Sequence, residues 1–165
     1  MEISFKPVEL SEIGTLLIFV QEYYDYDHHP FEAARTQSAL ENLIRHPDWG
    51  RVWFICRNIE PIGYTVLTLG YSLEYLGRDA FVDEIYIRES DPERISFAAR
   101  GKGIGRATFE FLEKVCRSLH VNALHLEVEQ HNTNAQQVYR KLGFIDHERY
   151  LMTRWLFEDQ PEGLL

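Results

Sequence analysis

A glycine-rich heptapeptide at residues 100–106 constrains this chain more than any other feature of its sequence. It leads into a stripe of apolar residues at three- and four-residue spacing from Ile104 to Leu119, which predicts an amphipathic helix. The first backbone N–H groups of a helix have no intrahelical partner and lie at the positive end of its dipole, so they attract anions. Glycine lets a phosphate approach that backbone closely. The seven residues are Arg100, Gly101, Lys102, Gly103, Ile104, Gly105 and Arg106.

Three kinds of phosphate-binding loop must be distinguished here. A Walker loop requires Ser or Thr after its Gly-Lys pair, but Lys102 is followed by Gly103. A dinucleotide-binding fingerprint requires its third glycine at the position of Arg106. The spacing of Arg100, Gly103 and Gly105 satisfies the third pattern, Arg/Gln-x-x-Gly-x-Gly/Ala, of enzymes that bind the pyrophosphate of acetyl-CoA.

Hydrophobic periodicity predicts strands and helices in one mixed α/β or α+β domain. No internal repeat or Gly/Ser/Pro-rich linker divides the chain, so we expect this domain to span residues 1–165. Gly143 stands where a helix C-terminal glycine would. The predicted strands are Glu2–Phe5, Arg51–Arg57, Ile62–Leu69, Phe81–Ile87, Ala123–Val128 and Tyr150–Phe157. The predicted helices are Leu10–Tyr24, Phe31–Arg45, Ile104–Leu119 and Ala135–Leu142.

The composition is acidic, with 26 Asp and Glu against 17 Lys and Arg and a formal net charge of -9. This balance argues against nucleic acid as a partner and favours cationic ligands. No apolar run is long enough to cross a bilayer and the first residues do not resemble a signal peptide, so we expect no membrane association and a cytoplasmic location. Cys56 and Cys116 are expected to pack as small hydrophobes. The scattered histidines lack metal-ligand spacing, so no metal is expected.

A second block, at residues 132–144, identifies the glycine loop more closely. Its pattern is Asn-x-x-Ala-x-x-x-Tyr-x-Lys-x-Gly-Phe, and it follows the loop after one predicted helix and one predicted strand. Together the two blocks resemble the GNAT superfamily of N-acetyltransferases over residues 81–144. The segment Glu22–Tyr26 resembles, more loosely, the spermidine/spermine and thialysine acetyltransferase branch. The residues of the second block that carry the resemblance are Asn132, Ala135, Tyr139, Lys141, Gly143 and Phe144.

The resemblance implies a fold with a strongly twisted mixed central sheet and helices on both faces. Two neighbouring parallel strands, Phe81–Ile87 and Ala123–Val128, are expected to splay apart. The pantetheine arm of acetyl-CoA would enter that gap and pair with the backbone of Ile85, Tyr86 and Ile87, much as an added strand would.

The remaining donor-binding residues also follow from the resemblance. Residues 100–106 would hold the pyrophosphate, Asn132 would lie near the pantetheine, and Tyr139 would lie near the sulfur. One departure from the family pattern is an interposed segment, residues 89–99, between the strand and the loop. It is either a flap beside the donor or a tolerated surface insertion. Superfamily members often form dimers, so a homodimer is possible.

Acetyl transfer to an amine requires a base, a hydrogen-bond donor to the developing oxyanion, and an acid for the leaving thiolate. Tyr139 is the candidate acid, and the backbone N–H of Ile85 is the candidate oxyanion donor. Asp83 and Glu84 are the candidate bases, and at most one faces the acceptor because adjacent strand residues point to opposite faces. The corresponding position in the polyamine branch favours Asp83 as the base, whereas Glu84 has the longer side chain and reaches farther.

An acidic and aromatic cluster near the N-terminus is the candidate site for the acceptor amine. Carboxylates attract ammonium groups, and aromatic ring faces can hold them. We therefore interpret the chain as an acetyl-CoA-dependent N-acetyltransferase that acts directly on a small cationic primary amine. The alternatives are a catalytically silent acyl-CoA-binding or sensor module and, less well supported, a nucleotide-binding protein. The cluster residues with this role are Glu22, Tyr23, Tyr26 and Asp27.

Overall fold

A computed structural model describes residues 2–88 and 103–156. The predicted helices and most predicted strands are present, with ends displaced by a few residues. The strands are β1 (Ile3–Pro7), β2 (Gly50–Arg57), β3 (Glu60–Ser72), β4 (Gly77–Ile87) and β5 (Val121–His125). The helices are α1 (Ile13–Asp27, after a 3-10 turn at Leu10–Glu12), α2 (Ala33–Arg45), α3 (Ile104–Ser118) and α4 (Thr133–Lys141).

The five strands form one mixed sheet in the order β1-β2-β3-β4-β5. Neighbours are antiparallel except β4 and β5, which are parallel. Helices α1 and α2 cover one face through a core that includes Leu16, Phe19 and Leu40, and α3 covers the other through Phe109 and Leu112. The mixed α+β fold expected from the resemblance is confirmed.

The parallel strands diverge, as the resemblance implied. Strand β5 pairs with β4 only from Arg78 to Phe81, and the last pair joins Phe81 to His125. Strand β4 continues to Ile87 without β5 beside it. The strand predicted at Ala123–Val128 therefore ends early, because the residues after His125 have no partner for ladder hydrogen bonds.

A β-bulge interrupts the pairing of β3 with β4 where the splay begins. Val66 pairs with Glu84 and Leu67 pairs with Val82, so Asp83 is an extra residue in β4. Side chains normally alternate along a strand, and the bulge reverses that alternation. Val82 packs into the core against α3, whereas Glu84 bonds to a side chain of α1 on the opposite face.

The strand predicted at Tyr150–Phe157 is wrong for its described part. Residues 150–156 have no regular secondary structure, and Tyr150 and Met152 are 89% and 90% exposed. Alternating apolar residues form a strand only when a neighbouring strand supplies hydrogen bonds, and none of the described strands pairs with this segment. Phe157, the segment 89–99 and Arg100, Gly101 and Lys102 lie outside the described residues.

Two smaller predictions are confirmed. Gly143 follows α4 with a left-handed φ of 95°, and Cys56 and Cys116 are buried and unpaired. Burial raises the pKa of the Cys116 thiol to about 11, which makes it a poor nucleophile at neutral pH. Within the described parts of the chain, no helix has the length and apolarity needed to span a bilayer.

Two glycine-to-alanine changes should have opposite effects on the free energy of unfolding, because one glycine lies where β3 pairs closely with β4 and the other has space around it. A Cβ at Gly63 would overlap the backbone carbonyl of Tyr86, so Gly63→Ala should lower the free energy of unfolding by about 1–3 kcal/mol. A Cβ at Gly14, in α1, has nothing within 4 Å, so Gly14→Ala should raise it by about 0.5–1 kcal/mol. Urea denaturation measures both, and equal effects would contradict the packing described here.

Candidate active site

The divergence of β4 from β5 opens a cavity of about 670 Å³, the interstrand cleft. One wall is the part of β4 that has no β5 partner, and the other is the chain that leaves β5 and enters α4. The cleft therefore has unpaired strand backbone on one side and the start of a helix on the other. Its lining residues are Tyr23, Tyr26, Asp27, Val82, Asp83, Ile85, Tyr86, Ile87, Phe109, Leu126, Glu127, Val128, Glu129, Gln130, Asn132, Ala135, Tyr139 and Leu151.

The cleft contains the described residues to which the sequence assigned contacts with the pantetheine and the sulfur of the donor. Ile85, Tyr86 and Ile87 lie on the β4 wall, and Asn132 and Tyr139 lie on the opposite side. The side chain of Asn132 caps α4, because its Oδ1 accepts a hydrogen bond from the third residue of the helix at 3.1 Å. Asn132 of the second motif therefore both caps α4 and lines the cleft.

The described part of the glycine loop is the start of α3. Gly103 is the N-cap residue with φ 68°, and a Cβ added there would have no atom of the described residues within 4 Å. The N–H groups of Ile104, Gly105 and Arg106 fall in the first turn, where a helix supplies no acceptor. The side chain of Ile104 is buried and that of Arg106 pairs with Glu110 at 2.8 Å. This open backbone at a helix N-terminus fits a pyrophosphate.

Tyr139 is held in the cleft by aromatic packing. Its ring lies edge-on to Phe109 and Phe144, with centroid distances of 5.8 and 6.1 Å. Burial raises the pKa of the Tyr139 phenol to about 12. The hydroxyl therefore keeps its proton at neutral pH.

A second cavity of about 520 Å³, the α1–α2 cavity, lies between the two N-terminal helices and the sheet. Glu84 lines it, and its carboxylate accepts hydrogen bonds from Tyr24 at 2.8 Å and Tyr64 at 2.7 Å. Burial raises the pKa of Glu84, and the two phenol hydrogen bonds partly oppose that rise because they stabilise the charged form. The site thus holds a half-buried carboxylate whose affinity for a proton is increased.

The two cavities meet at Asp83 and Tyr23, which line both. Asp83 is the extra residue of the bulge, and desolvation raises its pKa. Burial also raises the pKa of Tyr23, with further contributions from the neighbouring carboxylates of Asp27 and Glu84. A ligand in the cleft and a ligand in the α1–α2 cavity would therefore be adjacent at this junction.

The structure separates Glu22 from the rest of the predicted acceptor cluster. Its carboxylate accepts hydrogen bonds from Arg88 Nε at 2.8 Å and from the Tyr86 hydroxyl at 3.1 Å, and Glu22 lines neither cavity. Arg88 neutralises it, so it is not positioned to attract an amine. Tyr26 and Asp27 line the interstrand cleft instead.

Sequence reasoning missed several residues of the α1–α2 cavity. Tyr24 stands inside the acidic and aromatic cluster, so its neighbours were a usable signal. Val66 lines the cavity from β3, and Tyr64, also on β3, binds Glu84 without lining the cavity; both depend on the register of β3 with β4, which no local pattern encodes. Trp155 reaches it from the segment mispredicted as a strand.

No group of three or more His, Cys, Asp or Glu side chains in residues 2–88 and 103–156 is arranged to hold a metal ion. His29 lines the α1–α2 cavity, and its Nε2 lies 2.9 Å from the Asp27 carboxylate.

Comparison with known proteins places this geometry in a family. The model of the Acetyltransferase (GNAT) family matches residues 16–144. No curated protein matches the sequence significantly. An integron cassette protein, HFX_CASS3, from the mobile metagenome of Cole Harbour Salt Marsh is 31% identical, with a TM-score of 0.76 and coverage of 93% of this chain and 90% of that chain.

Two more distant structures share the fold and were solved with the expected donor or its product. A predicted acetyltransferase from Clostridium acetobutylicum with acetyl-CoA is 16% identical, with a TM-score of 0.70 and coverage of 93% of this chain and 96% of that chain. The aminoglycoside N-acetyltransferase AAC(6')-Iy in complex with CoA is 12% identical, with a TM-score of 0.73 and coverage of 94% and 96%. The resemblance to the spermidine/spermine and thialysine branch stays a prediction.

The open N-terminus of α3 predicts how CoA binding responds to mutation. At about 100 times its Kd, CoA should raise the Tm of the wild-type protein by about 5–10 °C, and Gly103→Glu should abolish the rise by placing a negative charge against the pyrophosphate. Gly143→Glu is the matched control, because Gly143 also has a positive φ and open space. Equal CoA stabilisation of both folded variants in a thermal-shift assay would contradict the assignment.

Proposed function

This chain belongs to the GNAT acetyltransferase family, and we propose that it transfers an acetyl group from acetyl-CoA directly to the primary amine of a small cationic acceptor. The observation that carries the proposal is the junction of the two cavities at the β4 bulge, beside Asp83 and Glu84. Direct transfer requires donor and acceptor to be adjacent, and this junction supports that arrangement.

On the donor side, the interstrand cleft and the N-terminus of α3 fit the two ends of acetyl-CoA. The unpaired part of β4, at Ile85–Ile87, offers backbone to the pantetheine, and the first turn of α3 offers N–H groups to the pyrophosphate. We propose that residues 100–102 of the glycine loop also bind the pyrophosphate. Bound acetyl-CoA supplies an acetyl group activated as a thioester.

On the acceptor side, the amine must lose a proton before it can react. An alkylammonium with a pKa of about 10 is only about 0.1% neutral at pH 7. We propose Glu84 as the base, because it lines the α1–α2 cavity and burial gives it an increased proton affinity. Two of the lone pairs of its carboxylate are occupied by Tyr24 and Tyr64, and others remain for the ammonium.

The remaining residues complete a balanced reaction. The ammonium gives its first proton to Glu84, which releases it to solvent. The C–N bond then forms as the C–S bond breaks, the second nitrogen proton passes to Glu84, and the Tyr139 hydroxyl protonates the leaving sulfur and regains its proton from Glu84 through solvent. Asp83, at the junction, attracts the ammonium toward the cleft, and the N–H of Ile85 is the proposed donor to the acetyl oxygen. The products are the N-acetylated amine and free CoA, with one proton released to solvent.

A catalytically silent CoA-binding module is the alternative, and the acceptor cavity does not favour it. Such a module needs the cleft and the glycine loop but has no use for a half-buried carboxylate of raised pKa in the neighbouring cavity. The nucleotide-binding alternative has no support beyond the glycine loop.

The first test is turnover. With saturating acetyl-CoA and a panel of primary amines, we expect mass spectrometry to detect an N-acetylated amine and one equivalent of free CoA thiol per product. Binding of acetyl-CoA without product from any amine would instead support the silent module.

Tyr139→Phe tests the proposed acid. We expect kcat to fall about 10²-fold, at the low end for general acids, because a thiolate leaves readily. The Kd for acetyl-CoA should be nearly unchanged, since the aromatic ring that packs on Phe109 and Phe144 remains. An unchanged kcat, with the chemical step shown to be rate-limiting, would reduce Tyr139 to a packing role.

Tyr64→Phe tests the base through the pH dependence of kcat/KM. Glu84 acts as a base only when ionised, so activity falls as the pH falls through its pKa. Loss of the Tyr64 hydrogen bond destabilises the ionised form, so this acid limb should move upward by about one pH unit. Tyr71→Phe, an exposed change on the same strand, is the control. A limb that moves downward, or equally in both variants, would contradict the role of Glu84.

A further inference from the structure

We propose that the α1–α2 cavity selects a primary monoamine whose remaining body is apolar and uncharged, in preference to a polyamine. This inference rests on the proposed function, because it concerns the acceptor of that reaction. It narrows the acceptor from any small cation to one class of cation.

The wall of the cavity away from Asp83 and Glu84 is predominantly apolar. Helix α2 contributes Ala39, Leu40 and Leu43, which share one helical face. Val20 from α1 and Val66 from β3 extend this surface, and both are almost fully buried. Such a surface favours alkyl or aryl groups, at about 0.8 kcal/mol for each buried CH₂.

Aromatic side chains complete the apolar surface. Tyr24 lines the cavity with its hydroxyl bonded to Glu84, so its ring, and not its polar end, is left to contact a ligand. Trp155 adds a second ring from the segment after α4 and is 42% exposed. Flat apolar surfaces of this kind suit the body of an alkyl or aromatic amine.

Negative charge is concentrated at one end of the cavity. Among the described residues, no Lys or Arg forms an ion pair with Asp83 or Glu84. The third acid in the lining, Glu32, is paired instead, since its Oε1 lies 3.5 Å from Nη1 of Arg35, which also lines the cavity. One ammonium group is therefore matched by carboxylates, at the end next to the thioester.

Among the described residues that line the cavity, a second ammonium on the same ligand would have no comparable site. Extended away from Glu84, it would meet the wall formed by Ala39, Leu40 and Leu43 and lose its hydration without gaining a partner there. The only acid in the lining beyond the Asp83–Glu84 end, within the described part of the chain, is Glu32 beside Arg35. The charge pattern thus disfavours a diamine relative to a monoamine of the same length.

The test compares hexylamine with 1,5-diaminopentane, which has the same number of heavy atoms and replaces the terminal methyl group by an ammonium. With saturating acetyl-CoA, we expect kcat/KM to be at least about tenfold higher for hexylamine. In parallel, isothermal titration of each amine into the CoA-saturated protein should give tighter binding of hexylammonium by a similar factor.

A pair of variants tests the location of the selectivity. Ala39→Asp places a carboxylate on the apolar wall and should shift the hexylamine/diaminopentane ratio toward the diamine by about tenfold. Ser38→Asp adds the same charge at the adjacent exposed position, which does not line the cavity, and should leave the ratio unchanged.

Each result decides between the inference and the function on which it rests. A diamine that is acetylated or bound as well as hexylamine overturns the inference and leaves the proposed function intact. Failure of both amines to bind the CoA-saturated protein also overturns it. Binding with the expected preference but no acetylation of any amine supports the selectivity of the cavity and overturns the proposed function. Equal effects of the two aspartate variants overturn the assignment of the apolar wall.

Discussion

The single extra residue in β4 determines how the site is assembled. Without the bulge at Asp83, Val82 and Glu84 would point to the same face of the sheet, so one of them would leave the side on which it now packs. With it, Val82 anchors the core against α3 and Glu84 faces the α1–α2 cavity. The bulge also lies where β5 leaves β4, so the cleft opens beside it.

The hydrogen bonds of Glu84 affect both the stability of the fold and the proposed reaction. Tyr64 is fully buried, and its hydroxyl would be left without a partner if Glu84 did not accept its hydrogen bond. Ionised Glu84 nevertheless costs stability, because burial raises its folded pKa above the unfolded value. This loss in the free energy of unfolding is absent below the pKa of Glu84 in the unfolded chain. It grows as the pH rises through the pKa of Glu84 in the folded protein. The fold thus maintains an unfavourable charge that the proposed reaction uses.

The sequence predicts the interstrand cleft far better than the α1–α2 cavity. The glycine loop and the Asn132–Phe144 block are local patterns whose geometry follows from helix ends, and Asn132 and Tyr139 of the second block line the cleft. The bulge, the contact of Tyr64 with Glu84, and the pairing of Glu22 with Arg88 depend on strand register and on contacts distant in sequence, which local patterns do not encode. The apolar alternation of residues 150–156 has the period of a strand, yet a strand also needs a neighbour.

Simultaneous occupation of the two cavities is the central claim, and a bisubstrate ligand tests it most directly. In such a ligand the sulfur of CoA is joined through an acetamide linker to a primary alkylamine, and its Kd is measured by isothermal titration against CoA carrying the linker alone. Because the cavities meet at Asp83 and Tyr23, the alkyl-bearing ligand should bind at least about 100-fold more tightly. Equal Kd values for the two ligands would contradict the account.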